Sequence, residues 1–190
     1  MRLDRGIIIK ECEGVYPPRE DSHLLLDCLD VRKGERVLEM GCGSGIISLH
    51  CAKAGALVTA VDINPKAVSC TKMNAQSNRL EVEVLLSDLL LDVQGSFDTL
   101  VFNPPYLPSE EKGEIEASWA GGEDGVRVLE RFLREAPSHM NRGGNVVVLL
   151  SSLMRDASLS CVLSSFRRRR LGQSKLFFEE LWVEELTLPA

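Results

Sequence analysis

No stretch of this chain approaches the roughly 18 consecutive apolar residues of a membrane-spanning helix, and its first five residues, Met-Arg-Leu-Asp-Arg, do not open a signal peptide. The six cysteines contain no C-x-x-C pair, so the commonest zinc and thiol-exchange signatures are missing. Basic charge is not in excess either. Lys and Arg number 22 against 28 Asp and Glu, a formal net charge of −6, which argues against a large non-specific nucleic-acid footprint. There is no internal repeat, low-complexity tract or long linker. His23, His50 and His139 stand in no catalytic arrangement and read as structural or surface residues. These absences lead to an expectation of a cytoplasmic protein without a metal site. Its Cys12, Cys28, Cys42, Cys51, Cys70 and Cys161 would be reduced core thiols.

At 190 residues, 44% hydrophobic and 26% charged, the chain is long enough for one domain with a substantial core. From residue 36 onward, short apolar runs alternate with helical patterns, the sign of βαβ units and a mostly parallel sheet. Residues 1–35 would cover a sheet core spanning 36–190. Strands are expected at 36–40, 57–62, 80–86, 97–102 and 145–151, the last after a Gly143-Gly144 turn. Helices are expected over 23–29, 46–54, 65–74, 126–135 and 154–166. Pro65 suits a first helical turn, and Glu20, Asp21 and Ser22 suit a helix amino end. Residues 7–9, Ile-Ile-Ile, read as a short strand. Residues 168–188 read as an antiparallel hairpin, with Phe177, Phe178, Leu181 and Trp182 as apolar cover. The run Arg167-Arg168-Arg169-Arg170 reads as a solvated helix end and edge strand.

The most informative residues are Asn103-Pro104-Pro105-Tyr106, directly after the strand pattern at 97–102. Neither proline can donate to a strand ladder, so the strand must end at Asn103. Pro105 holds Pro104 extended, which lets the Asn103 side chain and the Pro104 carbonyl face one spot. Two acceptors on one spot suit an NH2 group, and in open α/β sheets ligands bind at this carboxyl edge. Asn/Asp-Pro-Pro-Tyr/Phe is the signature of methyltransferases acting on planar amino groups, and this segment resembles it residue for residue.

Glu39-Met40-Gly41-Cys42-Gly43-Ser44-Gly45 joins a strand to a helix. A dinucleotide fingerprint counted from Gly41 would need its third glycine at Ile46, so that match fails. The spacing instead resembles the E/D-x-G-x-G-x-G loop of class I S-adenosylmethionine-dependent methyltransferases. Glu39 could then help hold a cationic cofactor. Asp62 ends the second strand, where a carboxylate either accepts two ribose hydroxyls or caps the following helix. Asp88, in Ser87-Asp88-Leu89, is either an acceptor for an adenine amino group or a turn aspartate.

The chain resembles the protein-glutamine N5-methyltransferases of the HemK type, and within them the short archaeal and eukaryotic branch acting on class I peptide-release factors. The resemblance rests on Val15-Tyr16-Pro17-Pro18-Arg19-Glu20-Asp21-Ser22, the glycine loop, Val61-Asp62-Ile63-Asn64-Pro65 and Phe102-Asn103-Pro104-Pro105-Tyr106. It also rests on Ile115-Glu116-Ala117-Ser118-Trp119-Ala120-Gly121-Gly122-Glu123-Asp124-Gly125. Only about 35 residues precede the first sheet strand, which agrees with the short branch. The resemblance implies a Rossmann-like α/β fold with a seven-stranded, mostly parallel sheet and a C-terminal antiparallel hairpin. It implies S-adenosyl-L-methionine contacts from Ser22, Glu39, Gly41, Cys42, Gly43, Asp62, Ile63, Asp88, Leu89 and Asn103. Ser22 stands where many relatives have Thr, and the hydroxyl is kept. Trp119 and Gly121-Gly122 read either as a buried aromatic over a tight turn or as part of a substrate loop.

On this reading Asn103, Pro104, Pro105 and Tyr106 bind the substrate glutamine. The Asn103 oxygen and the Pro104 carbonyl accept its two N–H groups, and Tyr106 walls the flat amide. The motif alone does not separate a glutamine amide from an adenine N6 amine. A DNA or RNA adenine methyltransferase is therefore the alternative, and a non-catalytic binding scaffold a further one. The resemblance also implies a small zinc-binding activator protein, which would add a strand beside the segment from Leu80 to Leu86. That segment reads equally as a self-sufficient edge guarded by Glu81 and Glu83.

Overall fold

The computed structural model describes residues 1, 3–105, 126–154 and 156–189. Tyr106, Trp119, Gly121, Gly122 and the rest of the 115–125 segment lie outside the described residues. The chain runs α1 (Glu20–Cys28), β1 (Arg36–Met40), α2 (Ile46–Lys53), β2 (Leu57–Asp62), α3 (Pro65–Asn78) and β3 (Glu83–Leu86). It continues through β4 (Phe97–Phe102), α4 (Arg127–Glu135), β5 (Met140–Ser151), α5 (Asp156–Leu163), β6 (Arg167–Lys175) and β7 (Glu180–Thr187). The strands form one sheet in the order β3-β2-β1-β4-β5-β7-β6. The first five are mutually parallel, and β7 is antiparallel to both β5 and β6.

The parallel strands are apolar because they are covered on both faces. Val37, Leu38, Leu100, Val101, Val146 and Val148 are almost fully buried. Reversal of strand order between β1 and β4 opens a crevice at their carboxyl ends. Residues just past β1, β2, β3 and β4 therefore converge there.

Several elements differ from the sequence expectation for local reasons. Helix α3 runs past Asn74 to Asn78, because Asn74 is a fully buried residue rather than a stop signal. The helix ends where Arg79 turns left-handed, with φ of 55°. Leu80 still donates its N–H to Ala75, so β3 starts only at Glu83. Strand β5 begins at Met140 rather than Asn145, and its pairing with β4 is interrupted between Phe97 and Thr99. Gly143-Gly144 thus lies in an irregular stretch of strand. A Cβ on Gly144 would approach the Asp98 carbonyl oxygen to 2.9 Å, so a side chain does not fit. Helix α5 is shorter than expected, ending at Leu163.

Residues 7–9 do not join the sheet. They belong to an extended strap laid along α3. Ile8 exchanges two hydrogen bonds of 2.8 Å with the Asn78 side-chain amide. Lys10 exchanges two of 3.0 Å with Asn74, and Cys12 is disulfide-bonded to Cys70. Two residues of extended chain advance about 6.6 Å and four helical residues about 6 Å. Positions 8, 10 and 12 therefore match 78, 74 and 70 turn by turn. The expectation of six free thiols is corrected by this pairing; Cys28, Cys42, Cys51 and Cys161 remain free.

Two further corrections concern exposed ends. Helix α1 starts earlier than expected, with Arg19 at its N-cap and no side-chain cap from Ser22. Asp21 and Ser22 instead share the buried face with Leu25 and Leu26. At the hairpin, Leu181 is buried as expected, but Phe177 and Phe178 are 91% and 86% exposed. They cover nothing among the described residues.

Candidate active site

The turn after β1 is built from glycines because its backbone is left-handed at Gly41, Gly43 and Gly45. At Gly45 space is also limiting: a Cβ there would come within 2.8 Å of Thr71. Gly45 is the N-cap of α2 and offers no side chain to the free N–H groups of the helix. Glu39, from the end of β1, replaces it. One of its oxygens accepts the Ser48 N–H at 2.8 Å and also the Ser48 hydroxyl. Burial raises the Glu39 carboxyl to about 8, against the opposing effect of the two Ser48 hydrogen bonds. Glu39 is thus both a helix cap and a lining group of the crevice.

Asp62 ends β2 and draws the glycine turn toward it. It accepts the Gly43 N–H at 2.9 Å with one oxygen and the Asn64 N–H at 2.9 Å with the other. Burial raises its pKa, while backbone N–H groups of Asn64, Gly43 and Ile63 oppose the shift. The cap of α3 is Asn64, whose side chain accepts the Lys66 N–H at 2.9 Å. At the end of β3 the Ser87 hydroxyl donates to the Leu89 carbonyl and accepts the Asp92 N–H, each at 3.0 Å. Leu89 is held left-handed, with φ of 52°. Asp88 accepts a 2.9 Å hydrogen bond from Arg131 of α4.

Asn103 follows β4, and its Nδ2 donates to the Asp21 carboxylate at 2.9 Å. Its Oδ1 is buried and has no hydrogen-bond partner among the described residues. The Tyr16 hydroxyl also hydrogen-bonds Asp21, and burial followed by the Asp21 charge raises its pKa. Arg19 stacks over the Tyr16 ring at 5.5 Å. The strap sets this side of the site, since Asn64 donates to the Gly14 carbonyl at 2.9 Å just before Val15 and Tyr16.

These ends enclose a cavity of about 350 Å³. The described residues expected to contact cofactor or substrate all line it: Ser22, Glu39, Gly41, Cys42, Gly43, Asp62, Ile63, Asp88, Leu89, Asn103, Pro104 and Pro105. Tyr106 lies outside the described residues. Sequence reasoning missed Asp21 as a lining group, along with Val128 and Arg131 from α4. The spacing of Asp21 to Leu25 and Ser22 to Leu26, each one helical turn, was the available signal that Asp21 points inward. A larger groove of about 720 Å³ opens beside Arg36, Leu57 and Phe97, the first residues of three strands. It gathers none of the motif residues.

The methyltransferase small domain family matches residues 7–173. A chain of Methanocaldococcus jannaschii named as a protein N5-glutamine methyltransferase is 42% identical over 185 residues, 94% of each chain. A Rhodopirellula baltica protein named release factor glutamine methyltransferase is 32% identical over 176 residues, 80% of this chain and 60% of its own length. Among solved structures, the E. cuniculi Mtq2–Trm112 complex, described as methylating the eRF1 termination factor, matches with a TM-score of 0.74 at 24% identity. That match covers 93% of this chain and 99% of the other. The chain belongs to the methyltransferase small domain family.

Proposed function

We propose that this enzyme uses S-adenosyl-L-methionine to methylate the side-chain amide nitrogen of a glutamine in a peptide-chain release factor. The observation that carries the reading is Asn103. Its NH2 is committed to Asp21, and its Oδ1, beside Pro104 on the cavity wall, is buried with no partner among the described residues. An orphaned acceptor of this kind is costly unless a ligand satisfies it. The names of the relatives at 42% and 32% identity support the same substrate class.

The cavity suits the cofactor. The left-handed turn at Gly41 and Gly43 lets a ligand approach the backbone, with Cys42 between them. Asp62, already fixed by two backbone N–H groups, keeps lone pairs for ribose hydroxyls. Glu39 faces the cationic end, and Ser22 lines the same wall. Ile63, Asp88 and Leu89 would bound the adenosine portion. When bound, the cofactor supplies an electrophilic methyl group.

The protein's part is then orientation. An amide nitrogen is a poor nucleophile because its lone pair is delocalised. Asn103 Oδ1 and the Pro104 carbonyl accept the two N–H bonds of the glutamine, which points the lone pair at the cofactor and favours loss of planarity. Pro105 keeps the corner rigid, and Tyr106 would cover the flat amide. No general base is required before transfer, because the proton leaves from a much more acidic methylated nitrogen.

A protein acceptor is also favoured by the arginine run. Arg168 forks onto Glu184 at 2.6 and 2.9 Å, and Arg169 onto Glu185 at 2.9 and 3.1 Å. Arg170 lies over the Trp182 ring at 5.0 Å. Three of the four arginines are thus engaged within the hairpin, which weakens the reading of the run as a site for an RNA backbone. We include in the proposal a small activator subunit, with zinc as its expected metal, at β3. The edge is only Glu83–Leu86, yet Leu86 and the nearby Leu91 are exposed, which suits an added strand. No described helix is long and apolar enough to cross a membrane.

The test is incubation of the enzyme with labelled cofactor and either release factor or adenine-containing nucleic acid. Peptide mass spectrometry should place one methyl group on a glutamine. Label in the nucleic acid alone would reject the reading.

A further inference from the structure

The β6–β7 turn carries two adjacent phenylalanines that the described residues leave uncovered. Phe177 and Phe178 are 91% and 86% exposed, and Leu176 and Leu153 are 36% and 43% exposed. The two rings pack edge to face with centroids 4.5 Å apart, so they form one aromatic knob. The sheet topology fixes where it stands. Strand β5 runs parallel to β4, and Ser151 at its carboxyl end pairs with Leu181 at the start of β7. The turn between β6 and β7 therefore projects from the same sheet edge as Asn103, not the opposite one. Its neck is pinned there: Ser152 donates its N–H to the Glu180 carbonyl at 2.9 Å, and Glu180 donates back to the Ser152 hydroxyl at 2.9 Å. The Ser151 hydroxyl also donates to Glu179.

We infer that this knob is a docking site for an apolar surface on the protein that carries the acceptor glutamine. The inference rests on the proposed function and adds to it a second contact outside the catalytic cavity. Strands β5 and β7 separate the Asn103 corner from the hairpin in the sheet order. At about 4.8 Å per strand the lateral separation is about 12 Å, and the turn also stands beyond the Ser151–Leu181 pair, three residues further along β5 than Val148, the partner of Phe102. The two points therefore lie roughly 15–20 Å apart, which about five or six residues of extended chain cover. A protein held by its glutamine at Asn103 can reach the knob, while a very short peptide stops before it.

Size favours this occupant over a second copy of the chain. Two aromatic side chains bury roughly 300–500 Å², below the about 800 Å² per partner of a stable interface. That area is too small to hold a dimer alone, but it is useful to a partner already anchored in the active site.

The experiment compares the full-length enzyme with its Phe177→Ser/Phe178→Ser and Phe177→Leu/Phe178→Leu variants. The side chains are solvent-exposed, so the substitutions leave the fold intact. Docking requires KM for the full-length release factor to rise about tenfold in the serine variant. The value of kcat and the cofactor affinity should stay within about twofold. The leucine variant should recover most of the loss. KM for a peptide ending two residues on either side of the glutamine should not move. An unchanged KM for the release factor overturns the inference, as does a wild-type dimer or a vesicle-bound form that disappears in the serine variant while KM stays constant. If the wild-type enzyme leaves the release factor unmodified, the proposed function falls, and the docking site with it.

Discussion

Asn103 and Asp21 are 82 positions apart in sequence, yet the amide nitrogen of one lies 2.9 Å from the carboxylate of the other. A carboxylate acceptor can take only the NH2 end of the amide, so Asp21 decides which way Asn103 faces. It leaves Oδ1 as the free acceptor. Replacing Asp21 with Asn would let the new amide offer a donor and would remove that choice. We expect kcat to fall about 10- to 100-fold in the Asp21→Asn enzyme, the effect of losing one charge-assisted positioning bond of about 1.4–2.8 kcal/mol. Cofactor affinity should change by less than about threefold, because Asp21 grips the substrate-side residue. Single-turnover methylation and calorimetry separate the two quantities. A loss confined to cofactor binding would refute the assignment.

Glu39 makes the site pH-dependent. With its carboxyl raised to about 8, the group is mostly protonated at neutral pH in the free enzyme, and the approach of a cation favours its ionisation. Cofactor affinity should therefore rise with pH from 7 to about 8 and then level off. Binding at pH 7 should release a proton, measurable by calorimetry in buffers of different ionisation enthalpy. Stability runs the other way. Between about 4.5 and about 8 the folded state holds a proton that the unfolded chain has lost, so stability declines as pH rises through that window. A Glu39→Gln variant should show a flatter stability profile there. An unaltered slope would mean that Glu39 titrates as an ordinary carboxyl.

Most of the sheet was legible in the sequence because parallel strands bury both faces and read as apolar runs, as in β1, β2 and β4. The site was legible for a related reason. Glycines at 41, 43 and 45, Asp62, and the two prolines after Asn103 all mark strand ends, where the backbone must turn. What sequence reasoning missed depends on contacts between distant residues. Asn74 looks like a helix-ending residue until Lys10 binds to it. Cys12 and Cys70 carry no spacing motif. Asp21 resembled a helix-start carboxylate until Asn103 arrived beside it. Phe177 and Phe178 look like apolar cover for the core, and only the geometry of the turn shows that they stand exposed, with no cover from the described residues.

The strap should behave as a unit. Asn74 has no exposed surface and donates to both the Lys10 and Ser44 carbonyls, so Asn74→Ala strands several buried backbone groups. A loss of about 2–4 kcal/mol is expected, read from urea unfolding. The Cys12–Cys70 bond closes a separation of 58 residues, for which loop-closure entropy gives about 4 kcal/mol. Under oxidising conditions Cys12→Ser should lower stability by up to that amount. Under full reduction the variant and the parent should nearly coincide. Equal stabilities in both conditions would show that the strap is held by its asparagines alone.

Asp88 is expected to accept the adenine amino group, yet Arg131 already donates to it. The ion pair is half exposed, with side chains 54% and 43% accessible, so it is worth no more than about 1 kcal/mol. Arg131 therefore competes with the cofactor without excluding it. Removing the competitor in Arg131→Ala should tighten cofactor binding by about two- to fivefold. Removing the acceptor in Asp88→Ala should weaken it by about tenfold. The gain from Arg131→Ala should vanish in the double variant, because both changes act through the same oxygen. Isothermal titration of the four proteins measures the cycle. A tightening that survives without Asp88 would place the effect of Arg131 elsewhere, on general access to the cavity rather than on the carboxylate.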